Sequence, residues 1–246
     1  MDLIKSSSSS LIILPETSIP LMLDQIPKSY LNEVRSHAIK NNGDVIFGVI
    51  ERKNGEFYNS AVSIGIAPMQ YYRKYHLVPF GEFIPFKKIV GYIYENWLEI
   101  PFSNLSRGSE IQPPIDLNNQ KLGLNICYED VFGYEIIKSL PEATILVNLS
   151  NDAWYGESIA ASQHLQISQA RAMETQRMML RATNTGVTAI IDKNGRLINS
   201  LPQHQVGLLD GFVQGYKGST PFSRYGNYPL IIMCFLYLLF TVRLKK

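Results

Sequence analysis

The sequence predicts a layered α/β fold in which short apolar strands alternate with helices. Runs of apolar and often β-branched residues recur along the chain, and several of the polar segments between them have helical spacing. A chain of 246 residues that is 46% hydrophobic is also long enough to bury a full core. These observations indicate one globular domain, although the pattern alone does not distinguish a doubly wound sheet from other α/β arrangements.

Each predicted element has a local signal. Strands are predicted where apolar runs stop at polar or turn-forming residues, and helices where apolar residues recur among polar ones, as Leu165, Ile167, Met173 and Met178 do. The sequence contains neither an internal repeat nor a glycine-rich phosphate loop. The predicted strands are 11–14, 45–50, 61–66, 122–127, 145–149, 187–192 and 206–213, and the predicted helices are 30–40, 133–139 and 163–181.

The charge and the cysteine and histidine content argue against a nucleic-acid partner, a disulfide and a metal site. A net charge of +2 gives no signature of polyanion binding, so nucleic acid is not an expected partner. The two cysteines leave no sensible disulfide pair, because Cys127 ends a predicted strand and Cys234 lies in the most apolar stretch of the chain. None of the four histidines has a neighbour at metal-ligand spacing, so we expect neither a metal nor another cofactor.

The thiol of Cys127 ends the apolar part of LGLNICYED (122–130), a position that suggests a nucleophile. A free thiol has a pKa of about 8.5 and attacks only as the thiolate, so a carboxylate that accepts its proton makes it reactive near neutral pH. Glu16, two residues after the predicted strand 11–14, is the candidate base. Attack on a carbonyl creates negative charge on oxygen, for which Lys74 and the backbone N–H of Tyr128 are the candidate stabilisers. Together these groups suggest covalent acyl transfer.

The same residues also have ordinary structural explanations. Taken singly, Glu16 and Lys74 are typical of solvated charges at the end of an element. Cys127 by itself is more commonly a small buried apolar residue than a nucleophile. Their contexts favour a site, since Glu16 and Cys127 follow strands and Lys74 lies in an aromatic-rich loop, but spacing alone leaves both explanations open.

In this order and in these contexts, Glu16, Lys74 and Cys127 resemble the Glu-Lys-Cys triad of the nitrilase, or carbon–nitrogen hydrolase, superfamily. Within it the sequence is most similar to the apolipoprotein N-acyltransferases, and the resemblance runs through most of the chain. It implies a nitrilase-like four-layer αββα sandwich. The matching motifs are PET (15–17), KYHLVPFGEFIP (74–85), CYEDVF (127–132), LSNDAWYG (149–156), QHLQISQARAMET (163–175) and LRATNTGVTAIIDKNG (180–195).

The resemblance implies a two-step reaction on lipid. Cys127 would take an acyl chain from a membrane phospholipid as a thioester, then pass it to the N-terminal amine of a diacylglyceryl-cysteine apolipoprotein. Glu16 would be the general base and Lys74 would stabilise the oxyanion. Glu82 matches a second essential glutamate that orients the site; its position in the otherwise uncharged VPFGEFIPF favours this role over that of a solvated loop carboxylate.

Four further residues have implied supporting roles. Tyr128 and Glu129 would form the floor of the site. Trp154 and Tyr155 follow Asp152, a candidate helix N-cap or turn residue, and match a loop that borders the acyl pocket. For these two aromatics, burial in an ordinary core is an equally good explanation.

Two segments suggest contact with a membrane. The region 70–102 is crowded with aromatic residues and cations, so part of it is predicted either as a lid at the bilayer surface or as a loop packed on its own core. The apolar segment 228–242 predicts a transmembrane helix, although it is somewhat short of the roughly 17–25 residues of a usual span, and a buried core helix is the alternative. The basic tail 243–246 would stay cytoplasmic, so the linker 214–227 and the catalytic domain 1–213 would face the periplasm from the bacterial inner membrane.

The N-terminus departs from the family pattern. Residues 1–10 have the character of a helix tail that runs into a serine run, so the domain is expected to be N-terminally truncated, without its first strand and helix. A separately encoded N-terminal membrane-helix segment is then an expected partner, beside phospholipid, apolipoprotein and the membrane. Three functions stay open: the lipoprotein acyltransferase, a soluble nitrilase-type amidase, and an inactive fragment of a split acyltransferase.

Overall fold

The computed structural model describes residues 1–85 and 104–244, and within them the strands form two sheets. The first sheet contains β1 (Leu11–Ile13), β2 (Asp44–Lys53), β3 (Glu56–Gly65) and β4 (Tyr71–Arg73), in that spatial order. The second contains β5 (Ile115–Leu117), β6 (Gln120–Ile126), β7 (Ile145–Ser150), β8 (Met178–Thr183), β9 (Thr188–Ile191) and β10 (Leu197–Leu201), also side by side in chain order.

The helices lie between and after these strands. They are α1 (Asp2–Ser6), α2 (Lys28–Lys40), α3 (Gly133–Ile136), α4 (Ala160–Thr175), α5 (Pro221–Tyr225) and α6 (Tyr228–Leu244). Four short 3-10 turns complete the described structure: Leu23–Gln25, Cys127–Val131, Ile137–Ser139 and Asp152–Tyr155.

The two sheets pack face to face. Successive side chains of a strand point to opposite faces, so β2 sends Ile46 toward the second sheet and Val45 and Phe47 to the outer side. Ile46 and Ala61 pack there against the inner faces of β6 and β7. The tight β2–β3 hairpin that aligns these residues turns at Asn54 and Gly55, both with positive φ, as a two-residue hairpin turn requires.

Helices cover both outer faces. Val34 and Ala38 of α2 and Ile4 of α1 pack on the outer face of the first sheet, against Val45 and Phe47. On the other side, Ile136 of α3 and Ala172 of α4 pack on Leu146, Met179 and Ile191 of the second sheet. The layers therefore follow the order α, β, β, α, as the resemblance implied.

Strands β6, β7 and β8 run parallel and carry the polar residues of the site at one end. All six residues of β7 are buried, as is typical of a strand covered on both faces. Because the carboxyl ends of parallel strands meet at one sheet edge, the residues that follow β6 and β7 are brought together.

One predicted element is wrong at its end, and another is absent. The helix predicted over 163–181 ends at Thr175, where Gln176 takes a left-handed conformation, and residues from Met178 form β8 instead. A short apolar run does not by itself distinguish a helix from a buried strand, and the parallel pairing with β7 decides for the strand. The strand predicted over 206–213 is absent from the described structure; its residues Val206 and Phe212 are exposed instead of paired.

The C-terminal helix α6 packs little against the domain. Its large apolar side chains, from Leu230 to Phe240, are about half exposed or more, with Leu239 at 48% and Tyr237 at 67%. A buried core helix is therefore wrong for this segment. Among the helices of the described residues, none combines the length and apolarity that a membrane span needs, and α6 has 17 residues. The predicted transmembrane helix over 228–242 is thus not confirmed. About half of the predicted aromatic lid, residues 86–102, lies outside the described residues.

Candidate functional site

Glu16 lies in the segment that follows β1 and is almost completely buried. Both carboxylate oxygens accept hydrogen bonds: Oε1 from the Asn59 side-chain amide at 2.7 Å, and Oε2 from the backbone N–H of Asn151 at 2.8 Å. Asn184 also donates to the carbonyl of Glu16 at 3.1 Å. The carboxylate is therefore held in one orientation by groups from both sheets.

Gly48 in β2 makes room for this segment. A Cβ atom at residue 48 would stand 2.5 Å from the Pro15 carbonyl oxygen and 2.6 Å from the Cα of Glu16. Such separations are shorter than any van der Waals contact, so a larger residue would displace the Glu16 backbone. The same glycine N–H donates to the Pro15 carbonyl at 3.1 Å, which ties the segment to β2.

Lys74 directly follows β4 and is 1% exposed, which is unusual for a lysine. Its Nζ lies 3.0 Å from Glu82 Oε1 and 3.4 Å from Glu16 Oε1. Burial opposes the charge of Lys74, but the negative groups around it, led by Glu16, outweigh burial and raise its pKa. Lys74 is therefore a fixed cation between two carboxylates.

Glu82 closes this group, which we call the Glu–Lys–Glu cluster (Glu16, Lys74 and Glu82). Besides Lys74, its carboxylate accepts from the Asn59 amide at 2.9 Å and from the backbone N–H of Val78 at 2.8 Å. Asn59 thus donates to both glutamates. The sequence reasoning missed Asn59, for which the only signal was a polar residue inside the strand EFYNSAVSIG.

Cys127 follows β6 at the start of a 3-10 turn and has a φ of 56°. This left-handed conformation costs a residue with a side chain roughly 1–2 kcal/mol, so the surrounding structure must hold it. The Asn148 amide donates to the Cys127 carbonyl at 2.9 Å, and a nitrogen of His164 lies 3.3 Å from the same oxygen. The thiol is at a sharp turn at the strand end, as predicted.

The electrostatics of the thiol link it to the cluster. Burial and the negative charge of Glu16 raise the pKa of Cys127 to about 12, while Lys74 acts in the opposite direction. At neutral pH the resting thiol is therefore protonated. Reaction of this thiol then requires a base that takes the proton as the sulfur attacks. Glu16 is the candidate for that base, because its surroundings hold its carboxylate in place.

Glu129 ties this turn to the Lys74 loop. Its Oε1 accepts from the backbone N–H groups of Tyr75 and His76 at 2.7 and 3.0 Å, and its Oε2 accepts from Ile126 N–H and Tyr72 Oη at 2.7 and 2.9 Å. Burial raises the pKa of Glu129 to about 7, although the hydrogen bonds from the backbone N–H groups lower it. Four donors suit a carboxylate that accepts at both oxygens.

Tyr128 presents the face of its ring to Lys74. The ring centroid of Tyr128 lies 5.6 Å from Lys74 Nζ, and its hydroxyl donates to the Leu77 carbonyl at 2.8 Å. The His76 ring meets the Tyr128 ring edge-on at 5.3 Å. Tyr128 and Glu129 thus both join the Cys127 turn to the loop that carries Lys74.

Trp154 and Tyr155 belong to the 3-10 turn after β7. Trp154 is 73% exposed, so it is not an ordinary core aromatic. Of the two alternatives for Asp152, the turn residue is confirmed and the N-cap is wrong, because the side chain of Asn151 caps this turn by accepting from Ala153 N–H at 3.2 Å. Asp152 instead points into a buried polar cluster with Asp130, His164 and Arg181, three residues that the sequence reasoning gave no role.

The described residues contain no group of three or more His, Cys, Asp or Glu side chains arranged to hold a metal ion. Cys127 and Cys234 are both free thiols.

The comparisons with known proteins agree on the family. The model of the carbon–nitrogen hydrolase family matches residues 2–220. The chain belongs to the carbon–nitrogen hydrolases. Two solved structures have a similar fold. The Caenorhabditis elegans NitFhit protein has a TM-score of 0.64 and 21% identity over 82% of this chain and 53% of that one. A carbon–nitrogen hydrolase from Helicobacter pylori has a TM-score of 0.57 and 17% identity over 82% of this chain and 76% of that one.

Curated relatives of this carbon–nitrogen hydrolase are more similar in sequence. The apolipoprotein N-acyltransferase of Nitrosomonas europaea is 52% identical over 92% of this chain and 46% of its own length. That of Chromobacterium violaceum is 44% identical over 96% of this chain and 46% of its own length. The chain thus spans about half the length of the curated relatives it matches. These matches give no support for a separately encoded membrane-helix partner.

Proposed function

We propose that the chain carries the catalytic domain of an apolipoprotein N-acyltransferase, with Cys127 as nucleophile, Glu16 as general base and Lys74 as the oxyanion-stabilising cation. The observation that carries the proposal is the buried Glu–Lys–Glu cluster, whose charges act on the Cys127 thiol, in a chain 52% identical to such an enzyme. A lysine that is 1% exposed and paired with two carboxylates is not a solvated loop charge.

In the first step Glu16 accepts the proton of Cys127 as Sγ attacks the ester carbonyl carbon of a phospholipid. The carbonyl oxygen becomes an oxyanion, stabilised by Lys74 and the backbone N–H of Tyr128. When the intermediate collapses, the ester C–O bond breaks. The lysophospholipid alkoxide takes the proton from Glu16, and the acyl chain remains on Cys127 as a thioester.

In the second step the N-terminal amine of a diacylglyceryl-cysteine attacks the thioester carbonyl. Glu16 accepts a proton from the amine, the carbon–sulfur bond breaks, and the proton returns to the Cys127 sulfur. The product is an amide, and the enzyme is restored. Lys74 acts in both steps as a fixed charge, because the carboxylates around it hold its proton.

The acyl donor is a lipid, and two features support its delivery from a membrane. Helix α6 has exposed apolar side chains along 11 successive residues, 230–240. The basic residue Arg243 follows three residues later. Trp154 is 73% exposed on the turn after β7, where an aromatic side chain can enter the headgroup region. We therefore propose that the domain lies at the periplasmic face of the inner membrane, with α6 in lipid and Trp154 and Tyr155 beside the acyl chain.

The alternative is a nitrilase-type amidase, in which water resolves the acyl-enzyme. The shared fold with the H. pylori carbon–nitrogen hydrolase favours it. The exposed apolar surface of α6 argues against it, because an enzyme for small soluble amides gains nothing from such a surface.

The test is intact-protein mass spectrometry after the chain is incubated with phospholipid in detergent micelles. We expect a mass increment of one acyl chain on wild type and none on Cys127→Ala. Glu16→Gln removes the proton acceptor with little change of shape and should suppress the increment by about 100-fold or more. The matched control Glu33→Gln changes a half-exposed glutamate that is paired with Lys5 and should acylate normally.

An increment that persists in Cys127→Ala would overturn the assignment of the nucleophile. The absence of any increment on the wild-type chain, together with release of ammonia from small amides, would favour the amidase. A chain that neither gains an acyl chain nor releases ammonia would favour the third alternative, an inactive fragment of a split acyltransferase.

A further inference from the structure

Beneath the Cys127 turn lie four charged side chains that the proposed reaction does not use. Asp130, Asp152, His164 and Arg181, here called the buried ionic cluster, are each at most 7% exposed. They come from four separate elements: the Cys127 turn, the turn after β7, α4 and β8. Burial of four ionisable groups is costly unless they are fully paired, so their pairing indicates what the cluster does.

His164 is the central donor of the cluster. Its Nδ1 lies 2.9 Å from Asp152 Oδ1, and its Nε2 lies 2.9 Å from Asp130 Oδ1. A neutral imidazole has one nitrogen that only accepts, and such a nitrogen would face a carboxylate oxygen that also only accepts. Both contacts are favourable only when both nitrogens carry protons. Burial disfavours the charge, but these two hydrogen bonds raise the pKa of His164 to about 9.

Arg181 supplies the second positive charge. Its guanidinium donates to Asp152 Oδ2 at 2.9 Å and lies 3.4 Å from Asp130 Oδ2. It also donates to Asn148 Oδ1 at 2.9 Å and Ser168 Oγ at 3.0 Å. With His164 protonated, two cations balance two carboxylates, and the cluster is electrically neutral. Without that proton it carries one net negative charge.

The cluster touches the nucleophile at two points. His164 Nε2 lies 3.3 Å from the Cys127 carbonyl oxygen, and Asn148, which Arg181 orients, donates to the same oxygen. The Ser150 hydroxyl, at the end of β7, donates to Asp152 at 2.8 Å. The charge of Asp152 raises the pKa of the Cys127 thiol, so an unbalanced Asp152 opposes formation of the thiolate.

We propose that His164 is a positioning residue for Cys127: as an imidazolium it joins Asp130 to Asp152, holds the strained Cys127 turn, and cancels the negative charge beneath the thiol. The proposal rests on Cys127 being the nucleophile of the proposed function. The charged groups that act on His164 are Asp130 from the Cys127 turn, Asp152 from the turn after β7 and Arg181 from β8.

The test measures the thiol itself and needs no acyl donor. The full chain carries Cys234→Ser, which removes the exposed second thiol, and Cys127 is alkylated with iodoacetamide across pH 6.5–10. His164→Gln keeps one donor but loses the charge. We expect alkylation of Cys127 to slow on the order of tenfold at pH 8, because an added unbalanced charge shifts a nearby pKa by about one unit or more. His164→Gln/Asp152→Asn restores neutrality and should recover most of the rate.

Circular dichroism checks that each variant is folded. If His164→Gln does not fold, a second measurement on the wild-type chain tests the proposal. In ¹⁵N-histidine-labelled wild type at pH 7.5, NMR should show both His164 nitrogens protonated. A neutral imidazole overturns the proposal, as does a folded His164→Gln chain with the wild-type alkylation profile or a double variant no faster than the single one. Wild type that forms no acyl thioester but shows the expected alkylation response would refute the proposed function and leave the role of His164 intact.

Discussion

Replacement of Lys74 by methionine is the most direct test of the Glu–Lys–Glu cluster. The side chain is 1% exposed, and its ammonium lies between Glu16 and Glu82. Methionine fills a similar volume but carries no charge. The change therefore leaves two buried carboxylates that share the single Asn59 amide, and the net charge of the cluster goes from −1 to −2.

The cost follows from the contact distances. At 3.0 and 3.4 Å, each ion pair is worth about 5 kcal/mol of attraction with an effective dielectric constant of about 20. Part of this loss is offset, because the variant has no ammonium to desolvate on folding. Removal of one partner from a buried pair typically costs about 3–5 kcal/mol, against a total stability of about 5–15 kcal/mol. Lys74→Met should thus lose about a third or more of the free energy of unfolding.

The assay is urea unfolding at pH 7.5, followed by circular dichroism. Lys121→Met is the matched control, because Lys121 is half-exposed and lies 3.7 Å from Glu142, a surface pair worth about 0–1 kcal/mol. Lys74→Met/Glu82→Gln returns the cluster to its original net charge and should recover part of the loss. If Lys74→Met costs no more than Lys121→Met, the cluster is not a stabilising buried ion network.

Three further outcomes are expected. The pKa of His164 is about 9 in the folded protein, above its ordinary value of 6.5, so the stabilisation that its charge provides is complete below pH 6.5 and is lost as the pH rises through 9. Over this range the free energy of unfolding should therefore fall by roughly 3 kcal/mol more in wild type than in His164→Gln. Gly48→Ala should cost about 1–3 kcal/mol and reduce thioester formation, whereas Gly207→Ala, whose nearest neighbour would be 3.6 Å away, should be neutral by both measures. Removal of residues 228–246 should leave the urea midpoint unchanged, since α6 packs little on the domain, and should abolish sedimentation with phospholipid vesicles; retained sedimentation would contradict the membrane role of α6.

The local sequence was sufficient for the buried strands β2, β6 and β7 and for most residues of the candidate site. Apolar runs predicted the buried strands around Ile46 and Val147, because a strand covered on both faces needs little else. Glu16 and Cys127 were predicted from their positions after such runs. Glu82 was predicted from a charge in an uncharged loop together with the family resemblance. Apart from that resemblance, each signal was contained in about ten consecutive residues.

Pairing between distant segments decided the rest. Met178–Thr183 reads equally well as a helix end, and it is a strand because β7 and β9 supply its hydrogen-bond partners. Asn59, more than 40 residues from Glu16, could be linked to it only by the fold. The sequence alone thus indicated which residues are candidates for the chemistry and which segments are apolar. The tertiary structure decided which carboxylates meet Lys74, and which charges lie beneath Cys127, because these energies depend on distance in space and on burial.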